Sequence, residues 1–249
     1  MIMGFRTNQN RITIAAAMAG TLLVAIGSAH GGDDPLLLLE GSVDGDSFFE
    51  ELNPTSANGN LFTYAQDLNG SNYEINWSMF VDNDLNAGVL DGYQILNSTL
   101  SYLNTGTTTS SVSFALNFPV GLEGLALNYG GSISGTLTGG EFGGQLSNLD
   151  DNVLWEAGNG LDSVASLYDD FSFVTTPFQT VDIPNEAFGV PIPSLPGTGG
   201  NAMQVLLNFE VSAGSSVVLT STYIAQIPAP GAAITLGLGL LVPRRRRKA

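Results

Sequence analysis

The run Asp82-Asn83-Asp84-Leu85-Asn86-Ala87-Gly88 sets oxygen-bearing side chains at alternate positions. That is how the start of a calcium loop gathers hard ligands around a hard cation. Asp91 could complete a set of Asp82, Asp84, Asn86 and Asp91, although Ala87 stands where such a loop wants Gly and Tyr93 where it wants a bidentate acid. The competing reading is an Asx-rich turn, in which Asp and Asn cap the backbone locally. The pairs Asp44/Asp46, Asp150/Asp151 and Asp169/Asp170 raise a second chemistry. Two carboxylates across a cleft can hydrolyse glycosides, whereas adjacent acids on loops are ordinarily solvated. Trp77 and Trp155, with Tyr73, Tyr93 and Tyr102, could form a sugar-stacking platform. Trp77 keeps period with Ile75 and is expected in the core; Trp155, between Leu154 and Glu156, fits either place. No catalytic residue is assigned.

Composition removes most other chemistries. The seven Lys and Arg are Arg6, Arg11, Arg244, Arg245, Arg246, Arg247 and Lys248, the one His is His30, and there is no Cys. Residues 32–226 therefore hold all 23 Asp and Glu and no cation. No Ser-His, Cys-His or Ser-Lys pair can form there, because the base is missing. The common zinc, haem and iron–sulfur ligand sets are absent. Phosphate would be repelled, which argues against nucleic acid as a partner. No cofactor is expected beyond calcium. Divalent cations or high salt should relieve the self-repulsion of so acidic a surface.

The elements that must position these groups read as strands. Tyr73, Ile75, Trp77 and Met79 alternate with polar residues, as do Val112–Phe118 and Met203–Val211. Ser216–Gln226 is rich in β-branched residues and reads as a hairpin partner of Met203–Val211 across Ser212–Ser215. Asp46–Leu52, Leu61–Gln66, Tyr93–Leu103, Leu122–Tyr129, Ser132–Thr138, Phe171–Thr175 and Phe178–Ile183 are further candidates. Asn58-Gly59, Asn69-Gly70, Gly130-Gly131, Gly139-Gly140 and Asn159-Gly160 supply turns. Leu161–Tyr168 reads as a short helix with Asp162 as N-cap, Thr105–Ser111 as a flexible loop and Pro184–Gly200 as a long surface loop. The sum is an all-β fold, a single-domain antiparallel sandwich or jelly roll, over residues 30–226. Asn69, Asn76 and Asn97 fall in Asn-x-Ser/Thr triplets, read as a coincidence of composition.

The ends carry addresses. Met1–Arg11 is cationic, Ile12–Ile26 apolar, and Gly27-Ser28-Ala29 small. This predicts a helical secretory signal peptide over residues 1–29, cleaved by signal peptidase after Ala29, or alternatively after Gly31. At the other end, residues 227–249 contain Pro228-Ala229-Pro230, the short apolar run Gly231–Val242, and Arg244, Arg245, Arg246, Arg247 and Lys248. That order resembles the PEP-CTERM sorting signal of exopolysaccharide-producing bacteria, with Ala229 where the family usually has Glu. The resemblance implies processing at the Pro-x-Pro element by an exosortase, an integral-membrane transpeptidase-like enzyme. The apolar run is shorter than the roughly 20 residues of a spanning helix. It is expected to be a short helical segment in transient contact with the membrane, with the arginines held on the cytoplasmic side.

These readings point to a non-catalytic protein exported across the inner membrane to the cell surface or extracellular matrix, structural or adhesive in exopolysaccharide. Three rivals stay open. A calcium-stabilised carbohydrate-binding module would show an exposed aromatic row. A carboxylate-only glycan hydrolase would show two acids across a groove. A surface-layer subunit would show a long free sheet edge.

Overall fold

The computed structural model describes residues 35–84, 92–150, 152–160 and 162–228. The signal segment with Ala29 and His30, the sorting residues Ala229, Pro230 and Arg244–Arg247, and the candidate ligands Asn86 and Asp91 lie outside them.

All regular elements among the described residues are strands: β1 (Leu37–Val43), β2 (Asp46–Leu52), β3 (Ser56–Asn58), β4 (Leu61–Asn69), β5 (Tyr73–Asp84), β6 (Tyr93–Asn104), β7 (Ser110–Pro119), β8 (Ala126–Thr138), β9 (Gly144–Ser147), β10 (Trp155–Asn159), β11 (Asp162–Leu167), β12 (Ser172–Thr175), β13 (Thr180–Phe188), β14 (Leu195–Thr198), β15 (Ala202–Val211) and β16 (Ser216–Gln226). They form two antiparallel sheets that pack as a β-sandwich. The first runs β11-β10-β15-β7-β1-β2, with β9 joined to β15 and β12 to β9; the second runs β13-β8-β16-β6-β5-β4-β3, with β14 on β8. The alternation of apolar and polar residues decides which face turns inward. Val112, Phe114, Leu116 and Phe118 of one sheet are buried, as are Ile75, Trp77, Met79 and Val81 of the other.

Met203–Val211 and Ser216–Gln226 do not form a hairpin. β15 pairs with β7 and β10, while β16 pairs with β6 and β8. Ser212–Ser215 is an arch that carries the chain from one sheet to the other. Each strand has an apolar inner face to bury, and a short polar link serves an arch as well as a turn. Asn104, itself buried, fastens this crossing. Its Nδ2 donates to the carbonyls of Thr108 (2.8 Å) and Val211 (2.9 Å), and its Oδ1 accepts from Gly106 N (2.9 Å).

Three other expectations fail. Asp162–Leu167 is strand β11, hairpinned to β10 through Asn159-Gly160, where Gly160 has φ 67°. Cross-strand pairing overrides a weak helical pattern there. Gly130-Gly131 is no turn, since β8 runs through it from Ala126 to Thr138. A Cβ on Gly130 would sit 2.3 Å from the Gly189 carbonyl oxygen, and one on Gly131 would sit 2.7 Å from the Trp155 indole and the Phe188 ring. The glycines are there for close packing on both faces of the sheet. Pro184–Gly200 is not one loop either: β13 continues past Pro184 by a bulge between Ile183 and Glu186, and β14 follows.

The sheet edges are blunt. β3 has 3 residues, β13 carries Pro184 and its bulge, and β2 carries Asp46, Glu50 and Glu51. Short, kinked and charged edges resist strand addition. The long free edge that a surface-layer lattice would use is not found at these strands.

The strand directions define two poles. β15 ends and β16 begins at the arch, beside the end of β6 and the start of β7. β1 begins and β16 ends at the opposite pole, where Ile227 N donates to Gly92 O (2.8 Å). Pro35 and Pro228 therefore leave the domain together.

Candidate functional site

Asp82 and Asp84 sit at the pole of the two termini, on β5 itself and not in a turn: Asp82 pairs with Ile95, and Asp84 with Tyr93. The two carboxylates share one face of the strand, because residues two apart do. Tyr93 Oη donates to Asp82 Oδ2 at 3.2 Å, and Asn60 Nδ2 donates to Asp84 Oδ1 at 3.3 Å. The hydrogen bond to Asp82 is the main cause of a raised Tyr93 pKa; the charge of Asp82, partial burial and the charge of Asp84 add to it. Among the described residues no group of three or more Asp, Glu or His gathers around a common centre. Asp82 and Asp84 offer carboxylate oxygens to a cation on one side of β5. On the other side, the completely buried Gln94 has neither amide atom hydrogen-bonded, and the neighbouring Asn83 Oδ1 is also unpartnered. Asn83 and Gln94 are directly opposed in the β5–β6 ladder.

A cleft of about 320 Å³ lies where β14 passes the β10–β11 turn, lined by Tyr129, Asn159, Asp162, Ser163 and residues 195–198. Its inner polar groups are spent on one another. Asn159 Nδ2 donates to Tyr129 Oη (2.7 Å) and to the Thr198 carbonyl, Tyr129 Oη donates to Thr198 O (3.1 Å), and Asn159 Oδ1 accepts from Gly200 N (2.7 Å). Burial pushes the Tyr129 hydroxyl up to about 12, against the pull of its bond with Asn159. This is a clip that holds β14 in place. Asp162 is the one carboxylate at its wall, so the cleft lacks the second acid that glycoside hydrolysis needs.

Of the paired acids, Asp46 opens strand β2, while Asp44, Asp150 and Asp169 belong to turns. Asp44, at φ 53°, accepts from Ser111 N (2.8 Å) and Ser110 Oγ (3.0 Å) and closes the β1–β2 hairpin with Gly45. Asp169 accepts from Ser166 Oγ at 2.9 Å. Asp150 has φ 55°, as turn residues do, and Asp151 lies outside the described residues.

The supposed stacking platform is dismantled. Trp77, Trp155 and Tyr102 are buried. Trp155 meets Tyr223 edge-on at 6.2 Å and Phe188 at 5.9 Å, and Tyr73 stacks on Tyr102 at 6.4 Å. No family model matches the chain, and no curated protein matches it.

What the second sheet shows to solvent is a lattice of small polar groups. Ser78, Thr99, Thr220 and Ser134 are directly opposed across β5, β6, β16 and β8. Asn76-Ser101-Val218-Thr136 and Phe80-Asn97-Thr222-Ser132 flank that row in the same register. Strands spaced about 4.8 Å apart turn these residues into a regular grid of hydroxyls and amides, interrupted by the exposed Phe80 and Val218 and without a charge in its central rows.

Proposed function

We propose that the chain is an exported, non-catalytic protein of the cell surface or extracellular matrix, sorted by an exosortase-like enzyme and structural or adhesive within exopolysaccharide. The observation that carries this reading is the division of charge: every Lys and Arg lies in residues 1–11 or 244–248, and residues 35–228 have none. The fold is compatible with it. Pro35 and Pro228, the first and last described residues, lie at one pole of the sandwich, so trimming beyond either need not disturb the opposite pole. The uncharged grid on the second sheet offers hydroxyl and amide partners to a hydrated glycan. In this reading Pro228-Ala229-Pro230 is the processing element, Arg244–Arg247 stop translocation, and any calcium is held by Asp82 and Asp84.

Intact-mass measurement on protein recovered from its native producer tests the proposal. The expected product lacks residues 1–29 and ends near Pro228–Pro230. Recovery of the whole polypeptide, Met1 through Ala249, from the cytosol would overturn it.

A further inference from the structure

We propose that the pole opposite the termini carries a binding tip for neutral polysaccharide, built on Phe142, Phe178 and Val174. These are among the most exposed large apolar side chains of the molecule, at 92%, 72% and 67%. Isolated exposed apolar residues are ordinary, but these three stand on segments tied to one another. Phe178 N donates to Gly140 O (3.3 Å), Gly143 N donates to the same carbonyl (3.2 Å), and Gly139 N donates to Gln179 O (2.9 Å). Val174 is paired with the exposed Gln145 in the β12–β9 ladder, two residues beyond Gly143 of the Phe142 turn.

The tip is rigid as well as exposed. The buried Ser215 hydroxyl donates to Gly143 O (3.2 Å) and accepts from Gly140 N (3.4 Å), pinning the Phe142 turn to the interstrand arch. Thr175 Oγ1 donates to Gln179 O (3.0 Å) across the Phe178 turn. Gly143 has φ 91°, and a Cβ there would meet Thr175 O at 2.6 Å. Phe178 itself has φ 57°, a conformation unfavourable for a bulky side chain. The fold thus accepts strain to present an aromatic ring outward from an ordered loop.

Charge and position choose the ligand. The rings are bordered by exposed Glu141, Gln145 and Gln179, and there is no cation between residues 35 and 228. A phospholipid surface or a polyanion would find nothing to pair with and many carboxylates to repel it. A neutral sugar ring has an apolar C–H face for an aromatic and hydroxyls for amide and carboxylate partners. Position agrees while the chain is held by its C-terminal segment during the sorting proposed above. β16 has 11 residues, so at about 3.3 Å each the tip stands roughly 35 Å from the pole where the sorting segment leaves. It faces away from the membrane and into surrounding matrix.

The test is co-sedimentation of the purified full chain with microcrystalline cellulose, insoluble chitin and the producer's own washed exopolysaccharide. Vesicles of phosphatidylcholine with phosphatidylglycerol, and sedimentation velocity of the protein alone, run alongside. The parent is compared with Phe142→Ala/Phe178→Ala and with Phe49→Ala, an exposed aromatic outside the tip. Aromatic contacts of this kind support an expected loss of roughly ten- to a hundredfold in glycan affinity for the double variant. Phe49→Ala should bind as the parent does, and all three proteins should melt together. The proposal is overturned if the parent sediments with none of the glycans, or if the double variant binds as the parent does. Preference for vesicles, or a parent dimer that the double variant abolishes, overturns it in favour of a lipid surface or a second copy. Export and terminal trimming of the double variant are read separately by intact mass, so failure of the tip and failure of the sorting reading are told apart.

Discussion

Replacing Asn104 should loosen the crossing between the sheets more than any other single polar change. The side chain is buried, and it satisfies two carbonyls and one amide that belong to two different segments, the β6–β7 loop and the end of β15. Asn104→Leu keeps the number and branching of the side-chain heavy atoms and removes all three bonds. Each lost bond costs about 1 kcal/mol, and the Val211 carbonyl, left buried without its donor, adds about 1–3 kcal/mol. The expected total is about 4–6 kcal/mol. For a domain of this size that lowers the melting temperature by roughly 8–24 °C. Asn104→Asp should be at least as harmful at pH 7, since it sets a carboxylate against the Thr108 and Val211 oxygens. Below the ordinary carboxyl pKa of about 4, protonation restores one donor, and the gap from the parent narrows. Calorimetric melts of parent and both variants at pH 7 and near pH 4 read this out. If both variants melt within about 2 °C of the parent at pH 7, about 1 kcal/mol or less, the idea of a clamp at Asn104 is wrong.

Gln94→Met should stabilise the fold by about 1–3 kcal/mol, seen as a higher urea midpoint, because it replaces two unpartnered buried polar atoms with apolar ones; a lower midpoint would mean that the amide has a partner of its own. Burial pushes the hydroxyls of Tyr102 and Tyr129 up to about 12, and that of Tyr223 higher still. The folded state thus disfavours their ionisation, so stability present below pH 10 should be lost as pH climbs through 10 to 12, by at most about 1.4 kcal/mol per pH unit for each such tyrosine. Tyrosinate absorbance equivalent to all seven tyrosines, reached well before circular dichroism reports unfolding, would contradict this burial. Calcium added after chelation should raise the melting temperature, by relieving carboxylate repulsion, and Asp82→Asn/Asp84→Asn should remove part of the gain; identical melts with and without calcium would sink that expectation.

Strict alternation makes a strand legible from its residues alone: β5, β7 and β15 lie where period two places them, and β16 lies where its β-branched content does. Leu37–Val43 escapes that reading because its start lies in the unbroken run Leu36–Leu39, which hides the alternation. The signal that points to it is Asp44-Gly45, both at positive φ (53° and 92°), a pair that suits a two-residue hairpin turn. The pairing of β15 and β16 is illegible for a different reason. Alternation tells a residue which face it belongs to, not which sheet its strand joins. Trp155 cannot be placed from its neighbours, because Leu154 on one side is also buried. Asp82 and Asp84 do stand together on one face, but what has the pattern of a loop is the end of a strand. Phe142 does leave a trace: an aromatic alone among Gly139, Gly140, Gly143 and Gly144 has no alternating partners with which to be buried.

The placement of β16 bears on how the domain would carry load. Along its 11 residues it is laddered to β6 on one side and to β8 on the other. A pull on the residues after Gln226, resisted at the arch end, runs along that strand. Its bonds to both neighbours then lie across the line of force and must give way together in shear, not peel one after another. A sandwich hung by its central strand suits an anchored molecule tugged from its far end.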